Sequence, residues 1–128
     1  MISKILSLIL LVLCIAGPVV ATIWYESGRN SDVDAEILAR SPERGNFLPQ
    51  KLTVTAGKPI RLRVRNVDTV MHGFAIPALG VDAGEIPAGH VALLEFTPAE
   101  PGCYDYYCTV WCSEFHLQMR GVVEVVAP

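Results

Sequence analysis

Apolar and polar residues are unevenly spread along this chain, and their pattern divides it into three parts. From Ile5 to Ile23 there is no charged side chain in 19 residues. A helix of that length, rising ~1.5 Å per residue, crosses a hydrocarbon layer of roughly 30 Å. Lys4 precedes the run, and Trp24-Tyr25 follow it where aromatic rings favour a membrane interface. The order predicts an N-terminal membrane anchor over residues 1–25, with the N-terminus inside and the rest on the periplasmic or extracytoplasmic side of the cell membrane. A cleaved signal peptide competes with the anchor. Val19-Val20-Ala21 has the small-residue chemistry of a cleavage site, and the short apolar run before Gly17-Pro18 suits a signal core. Gly17-Pro18 should kink a helix without preventing it from spanning. Leu13 is too bulky for lipid attachment at Cys14, which is left as a small apolar residue in the lipid segment.

Residues 26–45 are polar, with Ser-Gly, Asn-Ser and Ser-Pro breakers, and predict a tether. One stretch, Asp34 to Arg40, is helix-capable, with Asp32 or Asp34 as its cap. From Phe47 onward the period becomes two. Leu52 and Val54, then Ile60, Leu62 and Val64, alternate with Lys51, Thr53, Thr55 and with Arg61, Arg63, Arg65. Further strands are expected at His72–Ile76, Val91–Phe96, Cys103–Cys108 and Gly121–Val126, separated by Pro and Gly turns. Short strands at this spacing argue for an antiparallel β-sandwich over residues 46–128. Its arginine row reads as a solvated strand face, with a partner-docking stripe as the alternative.

Composition narrows the function. The chain has 128 residues, 52% of them hydrophobic and 18% charged, with a net charge of −3. Mean hydropathy is +0.40, an excess that the N-terminal run accounts for. Excluded are a multidomain enzyme, a nucleic-acid reader, a disordered protein and a polytopic transporter. Glu114 and Asp105 are single carboxylates, and no nucleophile–base pair or phosphate loop is present, so the chain holds no complete catalytic site.

The informative stretch is Cys108-Thr-Val-Trp-Cys112-Ser-Glu-Phe-His116-Leu-Gln-Met119, with His72 upstream at the start of another strand. Soft sulfur and imidazole donors select copper or zinc over hard cations. A Cys108–Cys112 disulfide suits an exported domain but leaves His72, His116 and Met119 unexplained. A tetrahedral zinc site could use Cys108, Cys112, His116 and His72, and has no use for Met119. A single blue copper needs one Cys, two His and a weak Met, and has no use for the second Cys. Two copper ions sharing both thiolates use all five side chains and leave no open position for substrate. That is the composition of an electron-transfer site.

The spacing Cys-x-x-x-Cys-x-x-x-His-x-x-Met, preceded by Met71-His72-Gly73-Phe74, resembles the binuclear CuA domain of cytochrome c oxidase subunit II and of nitrous oxide reductase. The likeness covers about residues 45–127, including Pro101-Gly102-Cys-Tyr-Asp-Tyr-Tyr-Cys108 and Met119-Arg-Gly121. It implies an all-β, cupredoxin-like Greek-key β-sandwich preceded by one transmembrane helix. It also implies two copper ions bridged by Cys108 and Cys112. His72 and Met119 would complete one, and His116 with the backbone carbonyl of Val110 the other. The implied role is electron entry into a membrane haem–copper oxidase-type complex, with a large subunit as partner and cytochrome c or a small copper protein as donor. A stand-alone tethered or released carrier is the alternative, and a copper-delivery or zinc-structural protein a more distant one.

The chain departs from the mitochondrial pattern at two positions. Val110 stands where that type carries a Glu that meets a magnesium ion, and Ser113 where a Gly is usual. Trp111 and Met119-Arg120-Gly121 lean toward the nitrous oxide reductase module, whose catalytic propeller 128 residues cannot contain. The single anchor resembles the short subunit II of ba3-type oxidases. Three expectations concern residues outside the ligand set. Cys103, five before Cys108, should face the opposite side of its strand as a buried free thiol, and His90 should be exposed in a turn. Phe74, Trp111 and Phe115 should either pack in the core or shield the ligands from water. Trp111 and Phe115 flank His116 and could form an apolar docking patch.

Overall fold

The computed structural model describes residues 2–30 and 33–128. Helix α1 spans Ile2–Asn30 and continues through Pro18 without interruption. Within it, the span Lys4–Gly28 contains an 18-residue window with a mean hydropathy of 2.7, long and apolar enough to cross a membrane. The apolar side chains described within it, Cys14 among them, are exposed, as lipid contact would require. The helix outlasts the apolar run and includes Glu26, Ser27 and Gly28, so the expected tether does not begin at residue 26.

The second unit, Val33–Pro128, holds eight strands. These are β1 Ala35–Ala39, β2 Lys51–Thr55, β3 Ile60–Asn66, β4 His72–Ile76, β5 Val81–Ile86, β6 Val91–Phe96, β7 Gly102–Tyr107 and β8 Arg120–Val126. They form a three-stranded sheet, β1-β3-β6, and a five-stranded sheet, β2-β8-β7-β4-β5. Two neighbouring pairs, β1 with β3 and β2 with β8, run parallel, so the sandwich is mixed where a purely antiparallel one was expected. In the core, Phe47, Phe74 and Tyr106 are fully buried, with ring centroids 5.1 to 5.6 Å apart. The Tyr106 hydroxyl donates to the carbonyl of Pro49 at 2.6 Å, which removes the cost of burying it.

Two strands were not expected. β1 replaces both the helix-capable stretch and much of the tether, and moves the start of the folded unit from residue 46 to Val33. Ala, Glu and Leu favour helix locally, but here Ile37 and Ala39 are fully buried and tertiary pairing overrides that propensity. On its outer side Glu36 accepts from Arg65 at 2.8 Å. β5 was hidden because Asp82, Ala83, Gly84 and Glu85 are poor strand formers, leaving only Val81 and Ile86 buried.

Two burial expectations also fail. Arg63 is buried beside Glu36, so the arginine row is not a uniformly solvated face. Cys103 does face away from Cys108, but that side of β7 is solvent, and its thiol is exposed. If β1 is integral, Ile37→Ala should cost about 2–5 kcal/mol in urea unfolding of the full chain. A change under ~0.5 kcal/mol would mean that residues 34–40 hang outside the cooperative unit.

Candidate metal centre

Strands β7 and β8 are adjacent and antiparallel, with Tyr107 opposite Arg120, so the twelve residues between them form a closed loop at one sheet end. The Cys108 amide donates to the Met119 carbonyl at 3.0 Å and ties the loop shut at its base. Within the loop, a 3-10 turn at His116–Gln118 is held by Met119 N to His116 O, also 3.0 Å. This brings His116 and Met119 back over Cys112. β4 lies next to β7 and supplies His72 at its first position.

The ligand atoms expected from the sequence converge. Cys108 Sγ lies 3.9 Å from His72 Nδ1 and 3.2 Å from the Val110 carbonyl oxygen. Cys112 Sγ lies 3.6 Å from both His116 Nδ1 and Met119 Sδ. Donor atoms of His72, Cys108 and Cys112 all fall within 4.8 Å of one another. Each sulfur therefore has one imidazole and one weak donor beside it. His72, Cys108 and Met119 are buried, while Cys112 and His116 are half-buried. His90, with its ring against the Ala88 carbonyl, is exposed and takes no part.

Charge is distributed unequally over the pair of thiols. Burial disfavours the Cys108 thiolate, but the facing His72 imidazole and a hydrogen bond from the Gly73 amide, at 3.3 Å, reverse this and lower its pKa. Burial and the neighbouring Cys108 charge push Cys112 up to about 12. Without a cation, the two sulfurs do not ionise alike: Cys108 gives up its proton more readily than Cys112. The donors fit a soft or borderline metal that offsets the second charge, and copper suits the thioether as well.

Other residues matter that the sequence reading passed over. Asp68, fully buried at its side chain, approaches His72 Nε2 at 3.2 Å. Burial would raise the Asp68 carboxyl, but donors from Ser41, Thr69 and His72 outweigh it and hold it far below the usual carboxylate range. For His72, burial lowers the pKa, and the bonds to Cys108 and Asp68 raise it by more. Gly73 is required for a second reason besides its amide. A Cβ there would collide with the Thr109 hydroxyl and sit 3.0 Å from the Thr109 nitrogen, so only Gly lets β4 approach the loop. Phe74 is a core aromatic, whereas Trp111 is 71% exposed and Phe115 45%, so these two do not bury the ligands.

Comparison with known proteins agrees with this geometry. A cupredoxin-like domain profile matches residues 13–125. Nitrous-oxide reductase of Stutzerimonas stutzeri is 32% identical over 78 residues, 59% of this chain and 12% of that protein. Cytochrome c oxidase subunit 2 of Metridium senile is 30% identical over 116 residues, 81% of this chain and 46% of that one. The chain thus spans less than half the length of either relative. Among solved structures, a chain of a haem–copper terminal oxidase dimer superposes with a TM-score of 0.62 at 18% identity, covering 97% of this chain and 99% of that one. The sandwich, the cluster of one histidine and two cysteines that fits copper, and these likenesses agree: the chain belongs to the cupredoxin-like domain family.

Proposed function

We propose that this protein is a binuclear-copper, CuA-type electron-transfer subunit, the electron-entry point of a membrane haem–copper oxidase-type complex in a respiratory chain. The observation that carries the proposal is the side-by-side placement of Cys108 and Cys112, each with its own imidazole and its own weak donor. His72, Cys108, Met119 and the Val110 carbonyl would hold the metals from the core side, and Cys112 and His116 from the surface side. Bound there, a copper pair supplies a one-electron redox couple with no position left for a substrate. The likeness to cytochrome c oxidase subunit 2 supports assembly with a large subunit, and α1 would hold the domain at the outer membrane face.

The protein's own residues set where electrons cross. His72 and Met119 are fully buried, which leaves His116 as the imidazole of the two that nears solvent. Its ring lies 5.8 Å from that of Trp111, between centroids. Trp111, Phe115 and Leu117 are all exposed and make an apolar surface around it. Water leaves such a surface cheaply when a partner such as cytochrome c or a small copper protein docks.

Elemental analysis of the reconstituted full chain should find two copper ions per chain, retained against excess zinc. Cys108→Ser or Cys112→Ser should abolish the pair and leave at most one copper, because each sulfur would serve both metals. Met119→Leu should keep both and change the reduction potential, since thioether is a weak donor. One copper per chain, or preferred zinc, contradicts the proposal. Trp111→Ala should weaken docking of the electron donor by about 2 kcal/mol, roughly 30-fold, as seen by stopped-flow. Its thermal stability should stay within ~0.5 kcal/mol of the parent, as for an exposed side chain. Unchanged electron-transfer rates would remove Trp111 from the docking surface.

A further inference from the structure

The polar cluster behind His72 reaches much further than the ligand loop. Asp68 sits in the turn between β3 and β4, and its carboxylate is fully used. Oδ2 accepts from the Ser41 amide at 2.8 Å and from the Ser41 hydroxyl, and also faces His72 Nε2 at 3.2 Å. Oδ1 accepts from Arg44 Nη1 at 2.9 Å and from the Thr69 amide at 2.8 Å. Ser41 and Arg44 belong to the 3-10 turn region that follows β1, about thirty positions before the ligand they influence. That turn is locked to itself by Arg44 N to Ser41 O at 2.8 Å, and to the Asp68 turn by Val67 N to Ala39 O at 3.2 Å. On the other side the Asp68 amide donates to Asn66 Oδ1 at 2.9 Å. Asn66 in turn donates to the carbonyls of Val70 and Ile86, each at 2.8 Å.

An ionised carboxylate only accepts hydrogen bonds, and Asp68 Oδ2 at 3.2 Å is a closer acceptor than Cys108 Sγ at 3.9 Å, so the proton of a neutral His72 ring sits on Nε2. The other nitrogen, Nδ1, is then left bare, and it is the one that faces Cys108. We infer that Ser41 and Arg44 are positioning residues of the metal centre, acting through Asp68 to fix the tautomer and orientation of His72. The inference rests on the copper reading of the site for its consequence and on geometry alone for the state of the ring. His116 has a different environment, half-buried beside Trp111, so the device acts on one imidazole of the two.

The test uses the full chain in detergent, with two readouts. The first is nitrogen-15 NMR of the His72 ring in the reduced, metal-free protein at alkaline pH. The second is the rate of copper loss to bathocuproine disulfonate. The parent should show the Nε2–H form. Asp68→Asn should give mixed tautomers and speed copper loss about tenfold, the usual scale for a partner that orients a metal-bound histidine. Ser41→Ala and Arg44→Gln should each move both readouts part of the way, and Ser41→Thr should restore the parent behaviour. In the Asp68→Asn background, Ser41→Ala should add nothing, because its path to the ring is already cut. Val54→Ala, a core substitution on β2, should lower thermal stability and leave both readouts unchanged. Retention of the Nε2–H form in Asp68→Asn, or an effect of Ser41→Ala that persists in that background, overturns the inference. A parent chain that binds no copper defeats the function proposed above, and the NMR result then decides the ring's state by itself.

Discussion

Two sulfur atoms share one partly buried space, and the rest of the site follows from that constraint. A lone thiolate is tolerable there because His72 and the Gly73 amide face Cys108. A second is not, and Cys112 is pushed up to about 12 by burial and by its neighbour's charge. Bringing such groups together works against stability, and a fold does so only when other interactions hold them. Here the loop is tied at its base by the β7–β8 ladder and tightened by the 3-10 turn. The constraint is relieved by a cation, which makes metal affinity and site geometry two aspects of one arrangement.

The surrounding sandwich converts that loop into a rigid site. The fully buried rings of Phe47, Phe74 and Tyr106 share one buried cluster with Cys108 and Met119, and Gly73 lets β4 approach without a side chain in the way. Rigidity matters for electron transfer because ligands that hardly move need little reorganisation when charge changes. The two imidazoles divide the remaining work. One is buried and fixed through Asp68 to the chain just after β1; the other lies near the surface beside exposed aromatic side chains.

Much of this was legible in the sequence, and the failures have physical causes. That His72, Cys108 and Cys112 come together could be anticipated because Cys, His and Met at set spacing carry chemistry that packing alone does not need. Six of the strands could be read because Leu52, Val54, Ile60, Leu62, Val64 and their equivalents alternate with polar residues. β1 could not, because Ala35-Glu-Ile-Leu-Ala39 leans towards helix by local preference, and only pairing with β3 overrides it. β5 carries too few apolar residues to announce itself. Asp68 and Ser41 were invisible for another reason. Short polar residues in turns are ordinary locally, and their role arises from contacts 27 positions apart. Cys103 shows the limit of parity arguments: alternation assigns a side of the strand, not whether that side faces core or solvent.

The central claim is that Cys108 and Cys112 are shared between two metal ions, and electron paramagnetic resonance of the oxidised, copper-loaded chain tests it most directly. An unpaired electron bridged by both sulfurs is delocalised, so its hyperfine splitting should arise from two equivalent copper nuclei, with narrow spacing. Splitting from a single copper nucleus, or loss of the signal only when one of the two cysteines is replaced, would contradict the account.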